Sequence, residues 1–206
     1  FRGANITGLN LLHAYMDYRF DPVNGDVKVD RCSHSSFVID PFFRKRDLSD
    51  CRGIIRRSYL SRDSIISLLP GSEAEIKLMK ASLSYDDKFQ FMPERYAADT
   101  RDLLAYDEFY YRTSRMQDLL VDTQTGETRE WNGKDKEKLR LFLQTYPNVM
   151  LTTNEIPTVN LMIVVQGMVL FDNRNPMGID EFPFVPVMAY YNPDLANYSL
   201  RVQGIV

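Results

Sequence analysis

The sequence is poor in the residues from which most catalytic and metal centres are built. Its 206 residues include two histidines, two cysteines and one tryptophan. Cys32 and Cys51 are too few for a disulfide scaffold or a cysteine-based metal centre, and with no other sign of an oxidising compartment they read as free thiols. There is no His-x-x-x-His, no paired Cys-x-x-Cys and no calcium-loop pattern, so no metal site is expected. Gly3 and Gly8 stand alone and cannot form a glycine-rich phosphate cradle. Long apolar runs are missing as well. The stretch Val159–Phe171 is broken by Asn160, Gln166 and Gly167 and falls short of the ~20 residues that a spanning helix requires, so no membrane role is expected. No basic-then-apolar leader pattern is visible.

What is present describes a globular chain. Hydrophobic residues make up 44% and charged residues 26%, which suffices for a buried core and excludes collagen-like and disordered classes. The net charge of −3 excludes a general polyanion binder. The charge is nevertheless uneven: residues 1–62 hold 11 Lys/Arg against 7 Asp/Glu, and the remainder holds 14 against 21. Asn5-Ile6-Thr7 and Asn197-Tyr198-Ser199 match the glycosylation triplet, a pattern short enough to arise by chance.

Periodicity predicts an α+β fold of short mixed strands and helices. Ile6, Leu9, Leu12, Met16 and Phe20 fall on one face of an opening helix. Pro22–Gly25 reads as a turn, followed by strands over Asp26–Cys32, Ser36–Asp40 and Ile54–Leu60; in the first, Val27 and Val29 alternate with Lys28 and Asp30, which predicts a half-buried strand with the valines on its buried side. Helices are expected over Ser61–Leu69, after a Ser72/Glu75 capping box, and over Lys134–Tyr146. Residues 84–101 lack a period and read as a loop, which puts a seam near residues 84–105. Strands are expected again at Tyr106–Arg112, in a Leu119–Trp131 hairpin, and at Val149–Thr153, Val159–Val165 and Met168–Phe171. Pro176, Pro183 and Pro186 predict an irregular stretch. Asn192 and Pro193 predict an N-cap and first turn of a longer helix, with Leu195, Tyr198, Val202 and Ile205 on its apolar stripe. Because the chain opens on Phe1 and this stripe still runs at its end, it reads as a segment of a longer polypeptide.

Candidate chemistry is sparse. His13 reads as a packed structural residue, and His34, within Cys32-Ser33-His34-Ser35-Ser36, as part of a polar turn. The carboxylate pairs Asp47/Asp50 and Asp86/Asp87 suggest solvated loops. They also motivate one alternative, a metal-dependent hydrolase or nuclease, while 12 tyrosines and 12 phenylalanines motivate a carbohydrate- or receptor-binding module. The basic excess at Arg44, Lys45, Arg46, Arg56 and Arg57 suits phosphate contacts, pairing with a neighbouring subunit, or solvation. Phe42, Phe43, Tyr110 and Tyr111 suit either subunit contacts or core packing. No catalytic residue and no cofactor is expected.

Several stretches, in order, resemble the portal proteins of short-tailed double-stranded-DNA bacteriophages, most closely those of crAss-like phages. They are Asp21–Asp26, Ser36–Arg44, Asp47–Cys51 with Ile55–Leu60, Thr125–Trp131, Asn175–Asp180, Phe184–Val187 and Tyr190–Pro193. The resemblance implies a structural subunit, not an enzyme, in a homododecameric ring at the portal vertex of the virion. It implies a channel for viral double-stranded DNA during packaging and ejection, docking of the terminase large subunit, contacts to capsid and head–tail adaptor proteins, and assembly in the bacterial cytoplasm. It places a wing-like region at 1–104, a small α/β clip-like region at 105–191, and the start of a stem-type helix at 192–206.

Overall fold

The computed structural model describes residues 2–18, 20–80, 103–133, 135–174 and 178–205. The loop expected at 84–101 lies outside the described residues. The chain forms two compact units: Phe1–Arg112 with Val159–Val206, and Thr113–Thr158. The α+β class holds, with antiparallel sheets dominating.

In the larger unit a short helix α1 (Arg2–Thr7) gives way to strand β1 (Leu9–Asp17), so most of the expected opening helix is a strand. Gly8, at φ +85°, ends the helix and donates its N–H to the Ala4 carbonyl. Beyond it Leu9, Leu11 and His13 alternate inward, and pairing on both sides overrides the helical spacing. The Pro22–Gly25 turn forms as expected. Asp21 Oδ1 accepts from the Val23 and Asn24 N–H groups, and Gly25 takes the positive φ. It leads into β2 (Asp26–Cys32), which pairs with β1 from Leu11↔Cys32 to Asp17↔Asp26. On the other side of β1 lies β9 (Phe184–Met188). This stretch was expected to be irregular because of Pro186; the proline is accommodated on an edge strand, where a missing N–H costs no ladder bond.

A second sheet runs β3 (Phe37–Ile39), β4 (Gly53–Ser61), β5 (Leu103–Asp122), β7 (Val149–Val165) and β8 (Met168–Asn173). The two expected strands 149–153 and 159–165 are one continuous β7 that carries Pro157, and the boundary between the units falls beside it. Helix α2 (Arg62–Leu68) is capped by the Ser61 hydroxyl accepting from the Ser64 N–H. Helix α3 (Glu73–Leu78) forms where expected, but Ser72 makes no capping bond. Its backbone, at φ −115° and ψ 22°, continues a 3-10 turn instead of taking the extended N-cap geometry.

One core cluster joins Leu9, Leu11, Phe43, Ile54, Tyr110, Val159 and Phe184. A second joins Ile65, Ile76, Leu104, Tyr106, Ile163 and Val165. The expected terminal helix is not there. Asn192 makes an Asx turn with the Asp194 N–H, helix α5 spans only Tyr198–Arg201 under an Asn197 cap, and β11 (Val202–Gln203) pairs with β10 (Tyr190–Tyr191). Val202 is buried as a strand residue; the Leu195 N–H turns back to Asn192 and the Ile205 N–H goes to the Asn5 carbonyl, so the helical bonds do not run on past Arg201.

The smaller unit consists of the distal half of β5, the short strand β6 (Thr128–Glu130), helix α4 (Lys136–Thr145) and the proximal half of β7. The expected hairpin is there, closed at Gly126 with φ +73°. Asp135 caps α4 by accepting from the Glu137 and Lys138 N–H groups. Phe142 and Tyr146 lie near Leu120 and Val149. Among its described residues only Gln117 and Thr158 are buried.

Candidate functional site

The basic run Arg44-Lys45-Arg46 sits in the loop that joins β3 to β4, and local bonds fix its backbone. The Asp50 carboxylate accepts from the N–H groups of Arg44 (2.7 Å) and Lys45 (3.0 Å), and Asp47 accepts from the Ser49 N–H. The Ser49 N–H, and after it the Ser49 hydroxyl, hold the Asp47 carboxyl below its ordinary range. Both acids thus shape the loop. The three basic side chains are exposed, with the Arg44 Nη1 donating to the Pro193 carbonyl.

Phe42 and Phe43 part company. Phe43 is fully buried, stacked at 6.1 Å on Tyr191 and edge-on at 6.0 Å to Tyr198. Phe42 is 77% exposed. Arg201 produces this division, and sequence reasoning missed it. Only 1% exposed, its guanidinium donates to the carbonyls of Leu195 (3.0 Å), Ala196 (2.9 Å), Pro41 (3.1 Å) and Phe43. The Pro41 and Phe43 acceptors flank Phe42, so the loop is pinned on both sides of its exposed aromatic. No local pattern announces an arginine whose acceptors lie some 160 positions away.

Arg56 and Arg57 occur on β4 opposite two acids of β5, in the register Arg56↔Glu108 and Arg57↔Asp107. Arg57 forks onto Asp107 at 2.6 and 2.7 Å, and Arg56 Nη1 lies 3.1 Å from both Glu108 and His13 Nδ1. These two arginines therefore have partners within their own chain. Tyr110 is core, edge-on to Phe184 at 5.1 Å, and burial raises its phenol. Tyr111 faces outward, stacked on Phe109 and donating to Asp172 at 2.9 Å.

His13 is a packed residue, stacked on Phe184 at 4.9 Å and on Tyr15 at 5.4 Å. Burial, then the Arg56 charge, lowers its pKa to about 4 against the pull of Asp30, so its Nδ1 accepts from Arg56. Burial raises Glu108, while Arg56 opposes the rise. His34 lies exposed in a 3-10 turn. Cys32 and Cys51 are free and buried. Among the described residues no three His, Cys, Asp or Glu side chains converge on a possible metal position, and no helix is long and apolar enough to cross a membrane.

Beside the His13–Arg56–Glu108 group an open groove of about 730 Å³ runs between the β1–β2 hairpin and the segment 179–183. Met16, Tyr18, Val27, Ile179 and Pro183 wall it. Val27 and Val29 were expected to be the buried side of β2, yet they are 71% and 58% exposed.

This arrangement has aromatic and cationic contact surface and no assembled nucleophile, acid–base pair or metal cluster among the described residues. Among curated proteins none matches the chain significantly. The family model described as phage P22-like portal protein matches residues 1–206, the whole chain. The chain therefore belongs to the family of P22-like phage portal proteins, structural ring-forming components of the bacteriophage capsid vertex that serve DNA packaging.

Proposed function

We propose that this chain is part of the subunit of a homododecameric portal ring of the short-tailed, crAss-like type. The ring conducts double-stranded DNA during packaging and ejection. It docks the terminase large subunit, joins the head to the tail through capsid and adaptor contacts, and assembles in the host cytoplasm. The observation that carries this reading is the family match along the entire chain. Residues 1–104 serve as the wing-like part and 105–191 as the clip-like part, with the compact unit Thr113–Thr158 inside the latter.

The electrostatics suit a conduit. Each phosphate neutralised by Lys or Arg adds affinity through counterion release, so a strongly basic lining would hold its cargo. Twelve copies of this segment at −3 each carry −36. Arg56 and Arg57, the two basic residues of the β4 strand, are paired with carboxylates. Negative-stain electron microscopy of the complete gene product tests the reading. Closed rings with twelve-fold symmetry are expected; a uniform population of non-ring particles would overturn it.

A further inference from the structure

The β1–β2 hairpin is anchored unevenly. At its base Leu9, Leu11 and Cys32 belong to the larger hydrophobic cluster, but of the described residues from Leu12 to Arg31 none belongs to either cluster. The register with β9 ends at His13↔Phe184, followed by one bond from the Ala14 N–H to the Pro183 carbonyl. A segment with so few apolar contacts opens at low cost. His13 ties this outer half to the β4–β5 sheet. It is 5% exposed, and its Nδ1 lies 3.1 Å from Arg56 Nη1, the same nitrogen that reaches Glu108 Oε2 at 3.1 Å. A guanidinium can only donate, so Nδ1 is the acceptor and the neutral ring carries its proton on Nε2.

Such a bond holds only while His13 is uncharged. A proton taken from water onto Nδ1 removes the acceptor and sets an imidazolium against a guanidinium in a buried place. The groups facing the ring from each neighbouring strand do little to compensate that charge. Asp30, opposite on β2, attracts it, yet already accepts from the Tyr15 hydroxyl at 2.9 Å. Glu108 on β5 is engaged by Arg56 on β4. Burial keeps the Tyr110 phenol on β5 neutral, and β9 lays Phe184 against the ring. Burial and then Arg56 accordingly outweigh Asp30 and bring His13 from 6.5 to about 4.

We propose that His13 is an acid-operated latch: on taking a proton it releases Arg56, and the hairpin from Leu12 to Arg31 comes away from the β4–β5 sheet, widening the groove between them. The latch stands independently of the portal reading. Hydrogen–deuterium exchange of the complete gene product, read by mass spectrometry and corrected for the intrinsic pH dependence, tests it. A group at 6.5 in the released hairpin and about 4 in the closed one favours release about twentyfold between pH 7 and pH 5. Glu108, which burial raises, binds its proton more readily in the closed form and opposes this, leaving about a tenfold loss of protection. That loss is expected in Leu12–Asp17 and Asp26–Arg31, with β4 and the Leu103–Arg112 part of β5 unchanged. In His13→Asn the Oδ1 stands in for Nδ1 as acceptor and takes no proton, so hairpin protection should no longer depend on pH. Glu108→Gln removes the opposing group while keeping an acceptor for Arg56, and should steepen the loss. Hairpin protection that is equal at the two pH values, that falls together with β4 and β5, or that falls as much in His13→Asn overturns the proposal. Should His13→Asn fail to fold, Glu108→Gln decides, and a profile no steeper than that of the unmutated protein overturns it.

Discussion

The sharpest energetic test in this fold is Arg201→Met. The guanidinium is 1% exposed and donates to four backbone carbonyls, those of Leu195, Ala196, Pro41 and Phe43. A methionine of similar length fills much of the space and leaves all four acceptors without their donor. Hydrogen bonds to a charged group contribute about 1.5–3 kcal/mol each. Four such bonds are not additive, because they share one side chain and the carbonyls partly rehydrate once the loop loosens. The arginine also gives up its own hydration on burial, so the net loss settles at roughly 3–5 kcal/mol rather than at the full sum. For a chain of this length each kcal/mol shifts the midpoint by about 2–4 °C, so Tm falls by roughly 10 °C. Thermal unfolding followed by circular dichroism, with urea titration for ΔG, measures it. Arg201→Lys keeps the charge, but a compact ammonium cannot reach acceptors on both sides of the fork, and it is expected to recover less than half of the loss. A methionine variant within about 1 kcal/mol of the unmutated chain would refute the reasoning, since it would mean that the four carbonyls do not depend on their donor.

Three further outcomes are expected. His13 has its pKa lowered from 6.5 to about 4, so the unfolded chain takes a proton that the folded one refuses, and stability falls as pH drops from 6.5 towards 4. Glu108, raised by burial, acts in the opposite sense at the lower end of that window. Tm against pH should therefore be flatter for His13→Phe, and an unchanged slope counts against the assignment. Gly8→Ala places a Cβ 2.9 Å from the Gln203 carbonyl carbon at φ +85°, and urea unfolding should show a loss of roughly 1–3 kcal/mol; a neutral result means that the α1–β1 junction relaxes freely. Burial lifts the Cys51 thiol to about 11 and raises Cys32 as well, so Ellman's reagent should label neither in the folded chain and both in denaturant. Rapid labelling of either in native buffer contradicts the buried placement.

Where the sequence was legible, the determinants were local. The Pro22–Gly25 turn, the alternation of β2 and the helix α4 are each set by residues within a few positions of one another. Where it failed, a distant partner decided. Leu9, Leu12 and Met16 satisfy a helical stripe, while Leu9, Leu11 and His13 satisfy a strand, and only pairing to β2 and β9 selects between them. The alternation of Val27 and Val29 identified the strand correctly and its buried face wrongly, because periodicity reports that a face is apolar and not whether this chain covers it. The same limit governs the candidate site. Phe42 and Phe43 are equivalent as letters, as are Tyr110 and Tyr111, yet one of each pair is core. A guanidinium on α5 and the pleat of β5 make that choice.

The adjacent pairs Arg56–Glu108 and Arg57–Asp107 show what such long-range partners contribute. Each is partly exposed, with side-chain exposures of 29% and 19% in the first pair and 23% and 14% in the second, so neither adds much stability on its own. Their value lies in being neighbours on opposite faces. Sliding β4 by one residue in one direction sets Arg56 opposite Asp107 and Arg57 opposite Tyr106; sliding it the other way sets Arg57 opposite Glu108 and Arg56 opposite Phe109. Either slip breaks both native pairs and leaves only one arginine opposite an acid, and it turns Ile54 and Tyr110 out of the core they fill together. Two modest ion pairs thereby hold a nine-residue strand to a single register. That register fixes His13, Arg56 and Glu108 beside the groove, so the shape of that groove depends on the pairing of two arginines with the acids of β5.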